Sequence, residues 1–418
     1  QHIGAPAKPV VGRGDKVKVG TLIAEAGGFV SAPIYSSVSG TVQKIDTVFD
    51  ATGYRKPAIF IKTEGDDWED TIDRSEKLEK VSDHQELTPE EIVNRIKVAG
   101  VTGMGGAGFP TFIKLCPPPG AKAECVIINA VECEPYITAD YRLMLEHTDE
   151  ILEGLRLLMK AAKVNRGYIG IEENKPKAIA LFEEKTAQDE TIEVVPLKTR
   201  YPQGGEKQLV DAVIRRQVPA PPAIPVNVGA IVQNVGTAFA VYQAVMKHKP
   251  LFERYTTVSG KQIAHPGNFL VRMGTPFAQL INACGGMPEG DNKVLAGGPM
   301  MGKAVNSLDV PVCKGTNAVT VLSGSDAVRK PAEPCIRCGK CVSVCPMGLE
   351  PYLLATKSAL HLYDGLEEHG ITSCISCGSC QFTCPAHRPI LDNILLGKGV
   401  VMAQIKARAA KAKAAQQK

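Results

Sequence analysis

The sequence predicts a multidomain chain of mixed α/β and β character, and three observations predict it. Strand-like and helix-like runs alternate between about residues 88 and 248, glycine-punctuated β-rich stretches flank them at 8–64 and 250–328, and cysteines crowd into 335–384. At 418 residues the chain is longer than one ordinary domain. The expected divisions are 1–70, 85–248, 250–328, 330–395 and a basic Ala/Lys-rich tail over 396–418.

The opening Gln1-His2-Ile3-Gly4-Ala5-Pro6 has no initiator Met, basic n-region or apolar h-region, so no signal peptide is expected and the natural start is expected upstream. Val17, Val19, Leu22 and Phe29-Val30 then mark short strands between glycines. The stretch from Val30-Ser31-Ala32-Pro33-Ile34 to Ser39-Gly40-Thr41-Val42 resembles the hammerhead hairpin of biotinyl and lipoyl carrier domains. A working carrier needs a Lys at the hairpin tip. None lies between Val30 and Val42, so a structural barrel-sandwich is expected.

A polar linker from Glu64 to Gln85 leads to Thr88-Pro89-Glu90-Glu91, an N-cap, a first-turn Pro and a Glu placed to close a capping box. Ile92, Val93, Ile96 and Val98 carry that helix to Gly100. Strands follow at Cys125–Ile128, 167–171 and 192–197, with helices at 151–162 and 176–186 between them. Such alternation makes a parallel sheet. Residues 250–328 return to short β segments with glycine turns, a third module.

Cys335, Cys338, Cys341 and Cys345-Pro346 form one C-x-x-C-x-x-C-x-x-x-C-P run; Cys374, Cys377, Cys380 and Cys384-Pro385 form another. This is the spacing of bacterial ferredoxins carrying two [4Fe–4S] clusters. Three closely spaced thiolates wrap three corners of a cubane, and the fourth, before a Pro, is carried to the neighbouring cluster. The expected ligand sets are therefore Cys335, Cys338, Cys341 and Cys384, and Cys374, Cys377, Cys380 and Cys345. Gly339 and Gly378 let the backbone approach the sulfides. A zinc ribbon would show paired CxxC knuckles instead. Cys116, Cys125, Cys133, Cys284 and Cys313 have no ligand spacing and are expected to pack.

Charge adds exclusions. The net +4 rests on five cations in the acid-free stretch 406–418, Lys406, Arg408, Lys411, Lys413 and Lys418, so no nucleic-acid surface is expected on the body. No apolar run approaches the roughly 20 residues of a membrane-spanning helix. The tail is helix-prone and expected not to pack; it reads as a solvated linker, with attraction to anionic lipid as the other possibility.

Gly103-Met104-Gly105-Gly106-Ala107-Gly108 is a literal GxGxxG, but a helix precedes it where the dinucleotide fingerprint requires a strand. Its amides can still lie against a phosphate or a planar ring. Extended through Phe109-Pro110-Thr111 to Lys114, it resembles the FMN loop of the flavoprotein subunit of respiratory complex I. Asn129-Ala130-Val131-Glu132-Cys133-Glu134-Pro135, Tyr201-Pro202-Gln203-Gly204-Gly205-Glu206 and Gln233-Asn234-Val235-Gly236-Thr237 resemble its later flavin-region segments, in the same order. With the hammerhead and the double cysteine run, the whole chain resembles the RnfC family. These are the peripheral subunits of Rnf ion-translocating ferredoxin:NAD oxidoreductases, called Rsx in enteric bacteria.

The resemblance implies a barrel-sandwich hybrid, a Rossmann-like FMN/NADH-binding domain, a β-grasp, soluble-ligand-binding (SLBB-like) module with only a scaffold role, and an α-helical ferredoxin-like domain. It implies that Gly103, Gly105 and Gly106 line FMN and that Lys114 meets its phosphate. Asn129, Glu132, Tyr201, Gly204, Asn234 and Thr237 would contact the ring, ribityl chain or phosphate. Phe109 and Glu134 would face NAD(H). Three positions depart from the flavoprotein pattern: Met104 replaces an Arg, and Gly205 and Gly236 each replace a Glu.

The implied activity passes electrons among NAD(H), FMN and the two clusters. Nicotinamide moves a hydride, a cluster takes single electrons, and a flavin exchanges with both. The implied partners are the other subunits of a membrane Rnf-type complex, one of them ferredoxin-like, with ferredoxin itself as a further redox partner. The implied location is peripheral, on the cytoplasmic face of the bacterial inner membrane, held by docking onto those subunits. The rival reading is an iron–sulfur wire and docking scaffold whose flavin site has lapsed, supported by the three departures and opposed by the retained glycines, Lys114 and Glu134.

Overall fold

The computed structural model describes residues 1–106 and 108–416 and divides into two compact units, 1–218 with 224–327, and 219–223 with 328–418. In the larger unit, the first module is two small sheets. Lys8–Pro9, Leu22–Glu25 and Ile34–Tyr35 form one; Lys16–Val17, Gly40–Phe49 and Arg55–Thr63 form the other. Val17, Ile23 and Val42 close over each other between them. The hairpin that resembles a carrier tip is fastened down: Ser37 Oγ donates to the Met273 carbonyl, Tyr35 Oη donates to the Val98 carbonyl at 2.6 Å, and Phe29 meets Phe112 edge-on.

The helix Pro89–Val98 starts as expected, with Thr88 Oγ1 accepting from the Glu91 amide. The reciprocal half of the capping box is not made, because the Glu91 carboxylate pairs with Arg95 one turn on. Beyond it lies a parallel four-stranded sheet in the order Ala230–Asn234, Cys125–Ala130, Gly167–Glu172, Ile192–Leu197. Three of its strands, all but the edge strand Ile192–Leu197, are buried on both faces. Val126, Ile128 and Ala130 pack toward the helices Thr148–Ala162 and Val235–Met246, while Cys125 and Ile127 pack toward Glu206–Ile214. The two helices on the first face approach closely enough that a Cβ on Gly154 would lie 2.0 Å from the Ala238 carbonyl oxygen.

The strand order doubles back between Cys125–Ala130 and Ala230–Asn234, so a crevice opens at the carboxyl ends of those two strands. The segments beginning at Asn129, Tyr201 and Gln233 leave the sheet at its carboxyl end, and the glycine loop, which precedes the sheet, meets the last of them through Met104 and Thr237. A five-stranded β-grasp module follows, ordered Gly267–Arg272, Glu253–Ser259, Ala318–Ser323, Asn292–Ala296, Lys303–Ala304, around Val258, Phe277, Val319 and Val321.

The smaller unit is helical. Its short helices Lys340–Ser343 and Ser379–Phe382 each begin at a glycine in the left-handed region, Gly339 (φ 72°) and Gly378 (φ 80°), so the two cysteine runs fold alike. The helix Ile390–Gln416 runs unbroken through the expected boundary at 395/396, and its continuation packs where none was expected: Val401 is buried and Ile405 half-buried against Leu354, Ile371 and Ile394. Those two apolar residues, one turn apart, stripe one side of a segment whose composition otherwise reads as solvated. Arg408 pairs with Glu367; Lys418 and Ala107 lie outside the described residues.

Candidate functional site

The glycine loop is pinned at its neck and displayed at its crest. The Gly103 amide donates to the Phe109 carbonyl at 2.8 Å, and Thr102 bridges Pro110. Buried Met104 is held by its amide, which donates to Thr237 Oγ1 at 3.0 Å, and by its carbonyl, which accepts from Arg254 Nη1 at 3.2 Å. Gly105 and Gly106 are exposed. A Cβ on Gly105 would come within 2.9 Å of Asn234, so only glycine fits there, whereas Gly106 faces open space.

Asn234 and Asn129 are register partners on the two strands that flank the crevice. Asn234 Oδ1 accepts from the Gly236 amide at 2.9 Å, capping the helix Val235–Met246, and its Nδ2 donates to Asp140 at 2.6 Å. Asn129 Nδ2 donates to the Gly204 carbonyl at 2.8 Å, which ties the segment containing half-buried Tyr201 to the crevice. Glu132 sits at φ 51° and accepts from the Asp140 and Tyr141 amides at 2.7 and 3.0 Å. Burial, and then the charge of Asp140, push the Glu132 carboxyl up to about 8, and burial raises Asp140 as well. Asp140 was not anticipated from the sequence; an acid in the first turn of the helix Ala139–Glu146 is its one local signal.

Two expected residues have partners within the chain. Lys114 Nζ donates to Glu206 at 2.7 Å and to the Val232 carbonyl at 3.0 Å, so an incoming phosphate must share or displace Glu206. The Glu134 carboxylate accepts from the Met300 and Met301 amides, and burial raises its pKa. It therefore joins the flavin region to the β-grasp module.

FMN needs backbone donors for a phosphate and flat surface for a ring. The exposed Gly105–Gly106 crest, the N-terminus of the helix Val235–Met246 beside it, and the Lys114 ammonium fit those demands. Two buried polar atoms in the flavin segments, Gln233 Nε2 and Thr111 Oγ1, have no hydrogen-bond partner among the described residues, so the loop and strand end retain unused polar capacity.

In the smaller unit, one cavity is lined by Cys345 together with Cys374, Cys377 and Cys380. Burial pushes Cys380 up to about 12, with the neighbouring thiols Cys374, Cys377 and Cys345 adding to it; these four sulfurs share one space. Cys384 lies near Cys341 in the same way, while Cys335 and Cys338 are exposed. Among the described residues no three His, Cys, Asp or Glu side chains converge on a single ion. Of the other five cysteines, Cys125 and Cys284 are buried and Cys133 and Cys313 partly so, but Cys116 is exposed on the loop after Thr111–Lys114, where no core reaches it.

Comparison with known proteins finds four domain families along the chain. The RnfC barrel sandwich hybrid domain matches residues 1–66, the Nuo51 FMN-binding domain 96–243, the SLBB domain 255–304 and the 4Fe-4S dicluster domain 327–385. The chain is 40% identical, over 96% of its length and 90% of the relative's, to a subunit of the Na(+)-translocating ferredoxin:NAD(+) oxidoreductase complex of Acetobacterium woodii. The chain belongs to the RnfC family. A subunit of the proton-translocating ferredoxin:NAD(+) oxidoreductase complex of Clostridium ljungdahlii is 45% identical over 88% of this chain and 79% of its own. One from the ion-translocating oxidoreductase complex of Rhodobacter capsulatus is 39% identical over 96% and 76%. In fold, the chain is similar to a chain of an NAD+-reducing [NiFe]-hydrogenase in the H2-reduced state (TM-score 0.51, 21% identity, 73% of this chain and 62% of that one). As an RnfC member it is an electron-transfer subunit with an FMN-binding domain and a two-cluster domain. Among the described residues no helix is long and apolar enough to cross a membrane.

Proposed function

We propose that this chain exchanges electrons with NAD(H) at an FMN held in the crevice between Asn129 and Asn234, and relays them through two clusters to the partner subunits of an Rnf-type complex. The observation that carries this reading is the convergence of four separate segments at the carboxyl ends of two adjacent parallel strands. Bound FMN supplies the exchange between hydride and single-electron chemistry. The chain's own residues position and protonate. Gly103, Gly105 and Gly106 offer flat backbone, and Thr237 and Asn234 hold the loop and cap the helix aimed at it. Lys114 offers charge to a phosphate, with Tyr201 and Gly204 across the crevice. The Glu132 carboxyl, raised by burial, holds a proton at neutral pH beside them. Phe109 and Glu134 are assigned to face NAD(H). In the smaller unit, Cys335, Cys338, Cys341 and Cys384 take one cluster; Cys374, Cys377, Cys380 and Cys345 take the other.

The complexes named for the relatives oxidise or reduce ferredoxin against NAD(+), and the same partners are assigned here, with the chain bound peripherally on the cytoplasmic face of the membrane. Deleting residues 409–418 spares Ile405 and the Arg408–Glu367 pair. The truncated chain should still sediment with membranes only when partner subunits are present; release by truncation alone would make the tail the anchor. For the flavin, the test is a visible spectrum of anaerobically reconstituted protein. Flavin bands beside the cluster shoulder are expected; iron–sulfur absorption alone would favour a wire with a lapsed flavin site.

A further inference from the structure

The β-grasp module contributes two buried basic side chains to the flavin region, of which Lys314 is pulled down to about 7 by burial. Arg254, on the strand Glu253–Ser259, is 3% exposed, and Lys314 is 0% exposed. Lys314 Nζ donates to the carbonyls of Gly100 at 2.7 Å and Pro33 at 2.9 Å, fixing the segment that enters the glycine loop. Arg254 Nη1 donates to the Met104 carbonyl at 3.2 Å and to the Lys314 carbonyl, and its Nε donates to the Tyr255 carbonyl at 3.0 Å. Burial pulls the guanidinium down to about 10, so it stays charged at neutral pH with Asp140 as the opposing charge. A buried guanidinium whose donors go to main-chain carbonyls, one of them in the loop's pinned residue, is more than scaffold.

The geometry of the peptide group says what that contact does. In a trans peptide the C=O and the following N–H point in opposite directions. Holding the Met104 carbonyl inward therefore turns the Gly105 N–H outward, toward the exposed crest. A charged donor on that carbonyl also polarises the peptide and strengthens its N–H as a donor. Met104 carries no charge of its own, and Arg254 brings one to the same peptide from a different module.

We propose that Arg254 is a positioning residue for FMN: through the Met104 carbonyl it aims and strengthens the Gly105 N–H as a donor to the flavin. The inference rests on the FMN reading above. Its test measures the FMN dissociation constant by fluorescence quenching on the full chain with its clusters, for the parent, Arg254→Lys and Arg254→Met. Cluster EPR signals and urea unfolding are recorded alongside. Arg254→Met, which removes fork and charge, should weaken FMN by about ten-fold or more. Arg254→Lys, which keeps the charge but not the fork, should fall between it and the parent. Both should retain both cluster signals. A parent that binds no FMN would sink the flavin reading itself. A parent that binds FMN with variants that match it, whatever their unfolding midpoints, would overturn only the role of Arg254. Should Arg254→Met fail to fold beside Asp140, Arg254→Lys decides alone, since an unchanged constant there also refutes the proposal.

Discussion

The Glu134 carboxylate accepts a 2.6 Å hydrogen bond from the Met301 amide, so an acid assigned to the nicotinamide rim is also the latch between two modules. Gln at this position keeps one acceptor oxygen and loses the charge. Glu134→Gln should lower NADH oxidation about ten-fold while FMN stays bound, the equivalent of about 1.4 kcal/mol. Steady-state kinetics with flavin quantitation checks this. If flavin and activity fall together, Glu134 belongs to the flavin shell; if only the melting temperature falls, it is a latch alone.

Cys345 lies with Cys374, Cys377 and Cys380. Cys345→Ala should remove about half the iron and abolish the cluster of the second run, leaving that of Cys335, Cys338 and Cys341 intact. Iron assay and EPR decide; loss of the first-run cluster instead would mean each run ligates its own.

Glu132 gives stability a pH signature. Its folded pKa is raised from 4.5 to about 8, so across that window the folded state holds a proton that the unfolded chain has released. Stability from this group is present at low pH and is lost as pH rises through about 8. Gln keeps an acceptor oxygen for only one of the Asp140 and Tyr141 amides, a loss that is the same at every pH, and it cannot ionise. Glu132→Gln should thus gain stability relative to the parent between pH 5 and pH 9, read from urea midpoints, with a slope of about 1.4 kcal/mol per pH step of one between the two pKa values. A gap between the two proteins that is constant with pH would refute the assignment.

Helix crossing in the cluster unit depends on Gly397. A Cβ there would lie 2.1 Å from Ser358 Oγ, itself fully buried. Gly397→Ala should destabilise that unit by about 1–3 kcal/mol through overpacking. Faster iron loss under a chelator with FMN binding unchanged is the expected readout; unaltered iron retention would mean that the helices have room to part.

What was legible in the sequence followed from local pattern. The helix–strand alternation from 88 to 248 and the two cysteine runs are periodic, and their strands and turns fall where the periodicity places them, as at Ile192–Leu197. Glu91 illustrates the limit of local rules, since Arg95 competes for its carboxylate. Arg254 lay beyond them altogether: a charge on an inward strand position signals nothing until a loop 150 residues earlier brings it a carbonyl. Val401 and Ile405 were lost in an Ala/Lys-rich composition, because two apolar residues carry little weight until a partner helix covers them.

The pairing of Asn129 with Asn234 has a metrical consequence. Neighbouring strands lie about 4.8 Å apart, so the two amides are set by the sheet at the spacing of a pair of caliper jaws. One jaw reaches the Gly204 segment and the other the glycine crest. Inserting one residue in either strand would turn its asparagine to the opposite face, and no adjustment of the loops could restore the gauge.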